Sequence, residues 1–531
     1  MNLSFLMTFL LISVHIHAAF SSFSPPITIP TAGNSASPQV GVDGSGNAVI
    51  VFIDELSGEF QVRASQLVNG VPTNPYTFPL SANATSAQAP NVAVNPSGNA
   101  IASWREQNSS FDYQNVGSFF FNGVWSAPQV FSNIATEFVI NYSTPGVSID
   151  DSGNGLVVWA QSVGASNKIQ WTQLVSQVWL PEQTIFSSTD FLLTPALSSN
   201  HAGKALAAWF NLTGSIVQAA QFNGVGWTVT SFPTSNIAQI CGLPQLSVSM
   251  NPSGDAVIAW MNNNSPNLEI QAVRLVNGLF GPQQIVSDPS QGSVLFQGAA
   301  LDPAGNGFVI WTIINTTLNT TSIQVARLFN GVFQSPVTIG GPYDLSTTFL
   351  QSPEVVVDAQ GDALATWELD DARQAFGAIY SISNGTWSQP FLLSNVGQDI
   401  QGPNVATNSA GQATVVWNEG DNPPNLVVQA VIGAFNSIPF SPSNFTGTRR
   451  SNRFLTQTDY INRLQWNPSQ DPTVVGYFLY RNGQLIASIP ASGPFQFEDH
   501  NRKKKEIDVY SLTSVNANGV QSSPPLVITV Q

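Results

Sequence analysis

Glu368, Asp370 and Asp371 are the densest set of carboxylates in the long N-terminal part of the chain. Paired acids of this kind are what a glycoside hydrolase or lyase uses, one giving a proton to the leaving oxygen and the other acting as base or nucleophile. They follow directly on an apolar run ending at Trp367, where a solvated loop would also carry acids. Asp54-Glu55 and Asp150-Asp151 are further adjacent pairs in that part, and Asp150 sits in a turn. Past residue 19 the histidines are His201 and His500, too far apart in sequence to indicate a metal pair or a Ser-His-Asp triad. Arg63, Arg105, Arg274, Arg327 and Arg373 are the arginines before residue 440. A carboxylate clamp needs several arginines together, whereas Arg63, Arg274 and Arg327 fall on alternating outer strands expected to face solvent. No Asp-x-Asp-x-Asp-Gly loop is present, so calcium is not indicated, and no other metal or cofactor is implied. Arg502-Lys503-Lys504-Lys505 is the one dense basic run: a solvated turn, or a contact for an anionic partner.

These residues ride on a repeat. Asn251-Pro252-Ser253-Gly254-Asp255-Ala256-Val257-Ile258-Ala259-Trp260 has variants ending at Phe52, Trp104, Trp159, Trp209, Trp260, Trp311, Trp367 and Trp417, spaced 50–56 residues apart. A period near fifty predicts a propeller or solenoid. Asn or Asp at the first place of the turn bonds forward to the backbone, and Gly at the fourth accepts the left-handed conformation of a bulged hairpin. The strand after it is apolar on both faces, as in a strand buried between two sheets. An alternating strand such as Ile323–Phe329 then meets Asn330-Gly331, a two-residue hairpin signal repeated at Asn69, Asn122, Asn223, Asn277 and Asn384. Each unit therefore reads as four antiparallel strands, one propeller blade. Eight blades is the literal count, with seven as the alternative if the fourth unit is degenerate. Residues 24–29 resemble the fourth strand of a later unit, Ser335 to Ile339, and are expected to complete the last one, closing the ring and hiding its edges.

The repeated tryptophans invite a lectin reading through stacking on sugars. No Arg or Glu recurs beside them at a fixed offset, however, so wedging between blades explains them better. Burial of about 200 Å² each contributes on the order of 5 kcal/mol per site before entropy.

Leu3 to Val14 is almost entirely apolar, and Ala18-Ala19 offers a small-residue cleavage site, so residues 1–19 read as a secretory signal peptide. No later stretch is long and apolar enough for a transmembrane helix. Cys241 is the only cysteine, which excludes an internal disulfide. Composition, 43% hydrophobic and 9% charged, fits an exported all-β protein. The charge is uneven: seven Lys plus Arg against 25 Asp plus Glu up to residue 440, and nine against six beyond it. An acidic repeat region repels phosphate backbones, so nucleic acid is not an expected partner. The sequons at Asn83, Asn141, Asn211, Asn315, Asn319 and Asn444 matter only in a host that glycosylates its exports.

After a linker over 437–444, the segment 445–531 changes pattern. Asn462-Arg463-Leu464-Gln465-Trp466, Gly476-Tyr477-Phe478-Leu479-Tyr480 and Tyr510-Ser511-Leu512-Thr513-Ser514 resemble a fibronectin type III domain. That resemblance implies a β-sandwich with Trp466 in the core and Tyr510 as its corner tyrosine. Residues 24–436 resemble bacterial secreted β-propeller repeats with an Asp-x-x-Gly-Asn-Ala…Trp pattern, and more loosely the Asp-box hairpins of sialidase-like propellers. The Asp-box spacing is not kept, since Asp302 to Gly305 is one residue longer, and no sialidase catalytic residue carries over. The expectation is an exported, monomeric binding or adhesion protein, presenting rim loops to a glycan or protein at the cell surface. A glycan-degrading enzyme using rim carboxylates is the alternative, and an envelope scaffold without a small ligand is the third reading.

Overall fold

The computed structural model describes residues 23–531, apart from 57, 81–83, 110–112, 133–136, 140–143, 194, 234–245, 265–266, 371–372, 384, 397–398, 421–425, 436–438, 440, 455–456, 470–473, 517–520 and 523–524. The expected signal peptide, Cys241, Asp371, the sequons at Asn83 and Asn141, and part of the 437–444 linker therefore lie outside the described residues.

The chain is all-β and forms two compact units that divide between Ile438 and Pro439. In the first, every copy of the repeat builds its own antiparallel sheet, giving eight sheets among the described residues. The Trp260 sheet is typical: Leu246–Met250, Ala256–Asn264, Asn267–Val276 and Leu279–Phe280 lie side by side in chain order. The fourth copy does the same with Ala196–Ser199, Ala205–Asn211, Ile216–Phe222 and Trp227–Pro233.

The turn chemistry explains the motif. The fourth-place glycines, Gly46 through Gly411, all have positive φ between 71° and 94°, a region closed to most L-residues. The first-place side chain accepts backbone N–H groups two and four residues on, as Asp43 Oδ1 does from Ser45 and Asn47, both at 2.8 Å. Where that residue is Asn, its Nδ2 donates to the turn of the next sheet: Asn95 to Asp150 O, Asn251 to Pro303 O, and Asn408 to Asp43 O. The last of these joins the eighth copy to the first.

The anchor aromatics are fully buried, each 0–1% exposed. Seven of them sit in clusters drawn from their own sheet and the preceding one, with Trp104 among Val49 and Val51, Trp260 among Leu206 and Ala208, and Phe52 among Val416 and Val428. First strands of consecutive sheets touch all the way round, and Ile400–Thr407 touches Ser35–Val42. Ile27–Ile29 pairs antiparallel with the last sheet in the register Ile27↔Ala430 and Ile29↔Val428, so the N-terminal segment supplies that sheet's missing strand. Hydrophobic burial and backbone pairing both close on themselves here, leaving no first or last face exposed.

In the second unit, Ser443–Phe454, Gln457–Asn467 and Gln496–Arg502 form one sheet. Gln484–Pro490, Val474–Arg481, Asp508–Asn516 and Leu526–Val530 form another. The two share a core containing Leu464, Trp466, Tyr477, Leu479, Tyr510 and Leu512. The first strand begins at Ser443, inside the stretch expected to be linker.

Candidate functional site

The expected acidic patch is split by burial. Glu368 lies on Ala363–Leu369, whose residues are all buried, and is 6% exposed. Its Oε2 accepts the Gly402 N–H at 2.9 Å. Burial pushes its carboxyl above the ordinary value; that hydrogen bond opposes the shift, and the Asp370 charge adds to it. Asp370 is exposed, with Gln351 Nε2 at 3.4 Å from its Oδ2. Asp371 is outside the described residues. The pair is thus one enclosed and one solvated carboxyl at the end of the sheet away from the repeat turn.

The other acids are occupied by the fold. Asp54 is fully buried and accepts from Ala32 N, Gly33 N, Ser35 Oγ and Arg63 Nη1. This corrects the solvent-facing placement of Arg63: its strand alternates as expected, but a buried carboxylate on the neighbouring strand draws the guanidinium inward, because an unpaired buried charge is costly. The remaining arginines are dispersed. Arg105 is buried over the Tyr113 ring, Arg274 donates to Gly331 O at 2.9 Å, Arg327 stacks on Phe329 and Tyr380, and Arg373 pairs with Asp399. His201 pairs with Asp151 at 2.9 Å and so links two repeat turns, while His500 pairs with Asp459 at 2.7 Å.

The basic run is also split. Arg502 is consumed by acids of its own unit, with Asp499 and Asp508 each at 3.5 Å. Asp508 is fully buried and also receives Arg449 Nη2 and Asn462 Nδ2. Lys503, Lys504 and Lys505 remain exposed on the turn. Of the four, Arg502 thus has carboxylate partners within its own unit, and the three lysines are the exposed cations. The hydroxyl of Tyr510, the expected corner tyrosine, donates to Asp499 Oδ2 and accepts from Asn462 Nδ2, and so joins the same ionic network.

A groove of about 680 Å³ was not legible beforehand. It is lined by residues of the Trp311 sheet, by the turn Pro289–Gln291 that leads into it, and by the stretch Trp387–Pro390 of the Trp367 sheet. None of its lining residues is charged. Asn315 Nδ2 holds Gln291 O at 2.8 Å, and Gln324 Nε2 holds Gln291 Oε1 at 2.7 Å. Its outer wall is residues 338–342 of the strand Val337–Asp344, which pairs with Thr320–Phe329 through two register shifts and so departs from the short fourth strands of most other copies. The one sequence signal for this was length: the segment after Asn330-Gly331 has an unusual Gly340-Gly341-Pro342 run.

No family model matches the chain, and no curated protein matches it. Similar solved structures include the Dos1 propeller, at 10% identity over 78% of this chain and 96% of that one, with a TM-score of 0.47. An ulvan lyase bound to a GlcA–Rha3S saccharide matches at 9% identity over 77% of this chain and 96% of its own, TM-score 0.43. The Hadza microbial sialidase Hz136 matches at 9% over 52% of this chain and 63% of its own, TM-score 0.36. At these identities none of them lends its activity to this chain.

Proposed function

We propose that the protein is an exported binding or adhesion module that presents propeller loops and grooves to a glycan or protein at the cell surface. In this reading the eight sheets are eight blades of one closed propeller, the second unit is a fibronectin type III-like spacer or second contact, residues 1–19 are removed on export, and the chain acts as a monomer. The observation that carries it is the uncharged groove beside the Trp311 sheet, set in a unit whose repeated residues are committed to folding. Concave sites with a few convergent hydrogen-bonding groups are the usual form of ligand pockets. A polysaccharide panel tested for both retention and cleavage is the direct experiment: retention without turnover is expected, and turnover would overturn the reading.

Glu368 and Asp370 favour a second reading, a glycan-degrading enzyme. Neighbouring carboxyls with one raised by burial and one left solvated form the pattern of an acid–base pair. Under it, cleavage activity disappears in Asp370→Ala. If the panel is neither retained nor cleaved, the third reading, an envelope scaffold, stands in place of both.

A further inference from the structure

The second unit sorts its cations into two sets. Beyond residue 440 the chain has nine Lys plus Arg. Four are paired within the unit: Arg449 with Asp508 at 3.0 Å, Arg463 with Glu498 at 3.7 Å, Arg481 with Asp499 at 2.9 Å, and Arg502 with Asp499 and Asp508 at 3.5 Å each. The other five, Arg450, Arg453, Lys503, Lys504 and Lys505, are exposed and have no ion-pair partner among the described residues. The register gathers these five at one end. Ser451, Tyr460 and Arg502 form a row across the three-stranded sheet. Lys503 follows that row directly, Arg453 lies two residues past it on the same side, and Arg450 lies one residue before it. Strand spacing and rise therefore put both arginine backbones within roughly 15 Å of the lysine turn. Arg449 Nη1 pins the turn by donating to Lys503 O at 3.1 Å and Glu506 O at 2.6 Å. The described acids of this end are already matched, Asp459 by His500 at 2.7 Å and Glu506 by Arg502 at 3.8 Å. Two aliphatic residues directly after the turn, Ile507 and Val509, are 60% and 41% exposed.

We propose that this end of the second unit docks on the surface of an anionic lipid bilayer, its five free cations against the headgroups and Ile507 and Val509 at the acyl boundary. This names the partner of the second unit's contact, and it rests on that part of the reading above rather than on the groove of the first unit. Five like charges held together repel one another, and an anionic partner supplies the counter-charge that the fold does not. Each basic residue near an anionic membrane adds attraction, and exposed aliphatic side chains among them add the apolar component that the interface takes up. A soluble polyanion would use the charges and leave Ile507 and Val509 in water. The first unit, with seven Lys plus Arg against 25 Asp plus Glu up to residue 440, adds no attraction to such a surface.

The test is co-flotation of the full mature chain with vesicles of phosphatidylcholine and phosphatidylglycerol in a two-to-one ratio, with phosphatidylcholine vesicles and soluble dextran sulfate alongside. The chain floats with the anionic vesicles only, and is released on going from about 0.1 M to about 1 M NaCl. Lys503→Gln with Lys504→Gln and Lys505→Gln lowers vesicle affinity on the order of a hundredfold, and Arg450→Gln with Arg453→Gln on the order of tenfold. Ile507→Ser with Val509→Thr lowers it severalfold. All these positions are exposed, so each loss comes at an unchanged melting temperature, which separates contact from folding. A wild-type chain that does not float with anionic vesicles, or binding that survives both basic variants, overturns the proposal. If dextran sulfate binds as tightly as the vesicles and Ile507→Ser with Val509→Thr changes neither, the patch takes a polyanion and the bilayer is overturned. Retention of a neutral polysaccharide by the first unit is unaffected by these variants, so failure of this contact and failure of the binding reading are told apart.

Discussion

Single residues in this protein are best understood by the copy in which they break the pattern. The first and fifth places of the turn hold at most one acid in seven copies, for example Asp43 with Asn47 and Asn251 with Asp255. In the seventh they are Asp358 and Asp362. Burial and the Asp362 charge raise the Asp358 carboxyl to about 6. A folded value raised above an unfolded one near 4 contributes stability that is fully present below about pH 4 and is lost as pH rises through about 6. Asp358→Asn, the residue of the second, fourth, fifth and eighth copies, keeps the backbone acceptor and removes the repulsion. It should stabilise the first unit by on the order of 1 kcal/mol at pH 7.5 and by little at pH 4, as read from melting curves at both pH values. A second prediction separates the basic run. Arg502→Gln should cost the second unit about 1–2 kcal/mol in urea unfolding, since it strips a partner from buried Asp508. Lys503, Lys504 and Lys505 all changed to Gln should stay within about 0.5 kcal/mol of wild type.

Elements were legible where local chemistry sets them. The Gly at the fourth place and the Asn-Gly hairpins announced their backbone conformations, because few residues tolerate positive φ. Asn69, Asn277 and Asn330 adopt it as expected. The role of the fifth turn residue appears only in the fold. Asn47 Oδ1 accepts from Asn69 N, Asn306 Oδ1 from Asn330 N and Asp362 Oδ1 from Ile382 N, tying the inner turn to the outer hairpin of the same sheet. Recurrence of Asn or Asp at that place is visible in the sequence, but its partner lies twenty or more residues away and no local rule supplies it. The burial of Glu368 and the inward turn of Arg63 are hidden from the sequence for a related reason: exposure depends on which strand lies opposite, and pairing distance is not written in composition. The N-terminal strand gives an element-scale prediction. Removing residues 24–30 strips fully buried Ile29 from the Phe52 cluster and opens the ring edge. The first unit should lose at least about 3 kcal/mol, and a melting curve matching the intact chain would contradict closure.

At the scale of the molecule, the first unit is laced around its ring by side chains reaching from one sheet to the next. Glu354 accepts from Val405 N at 2.9 Å and from Asn404 Nδ2 at 3.1 Å, and Asn404 Oδ1 in turn accepts from Val40 N at 3.0 Å. Enclosure of the Glu354 carboxyl raises it to about 7, although the residue as a whole keeps some accessible surface. The sign is that of Asp358: the contribution is complete below about pH 4.5 and is lost as pH rises through about 7. The unit should therefore melt at higher temperature at pH 5 than at pH 8, and Glu354→Gln combined with Asp358→Asn should flatten that slope.

This closed scaffold makes the central claim that the recurring residues fold the protein and that function lies in what the copies do not share. Thermal stability and affinity for a retained glycan, measured together on Trp260→Ala in the full chain, test it most directly. The account predicts a loss of about 3–5 kcal/mol with affinity preserved under conditions where the variant is folded. Unchanged stability with abolished binding would make the repeated tryptophans ligand sites and contradict it.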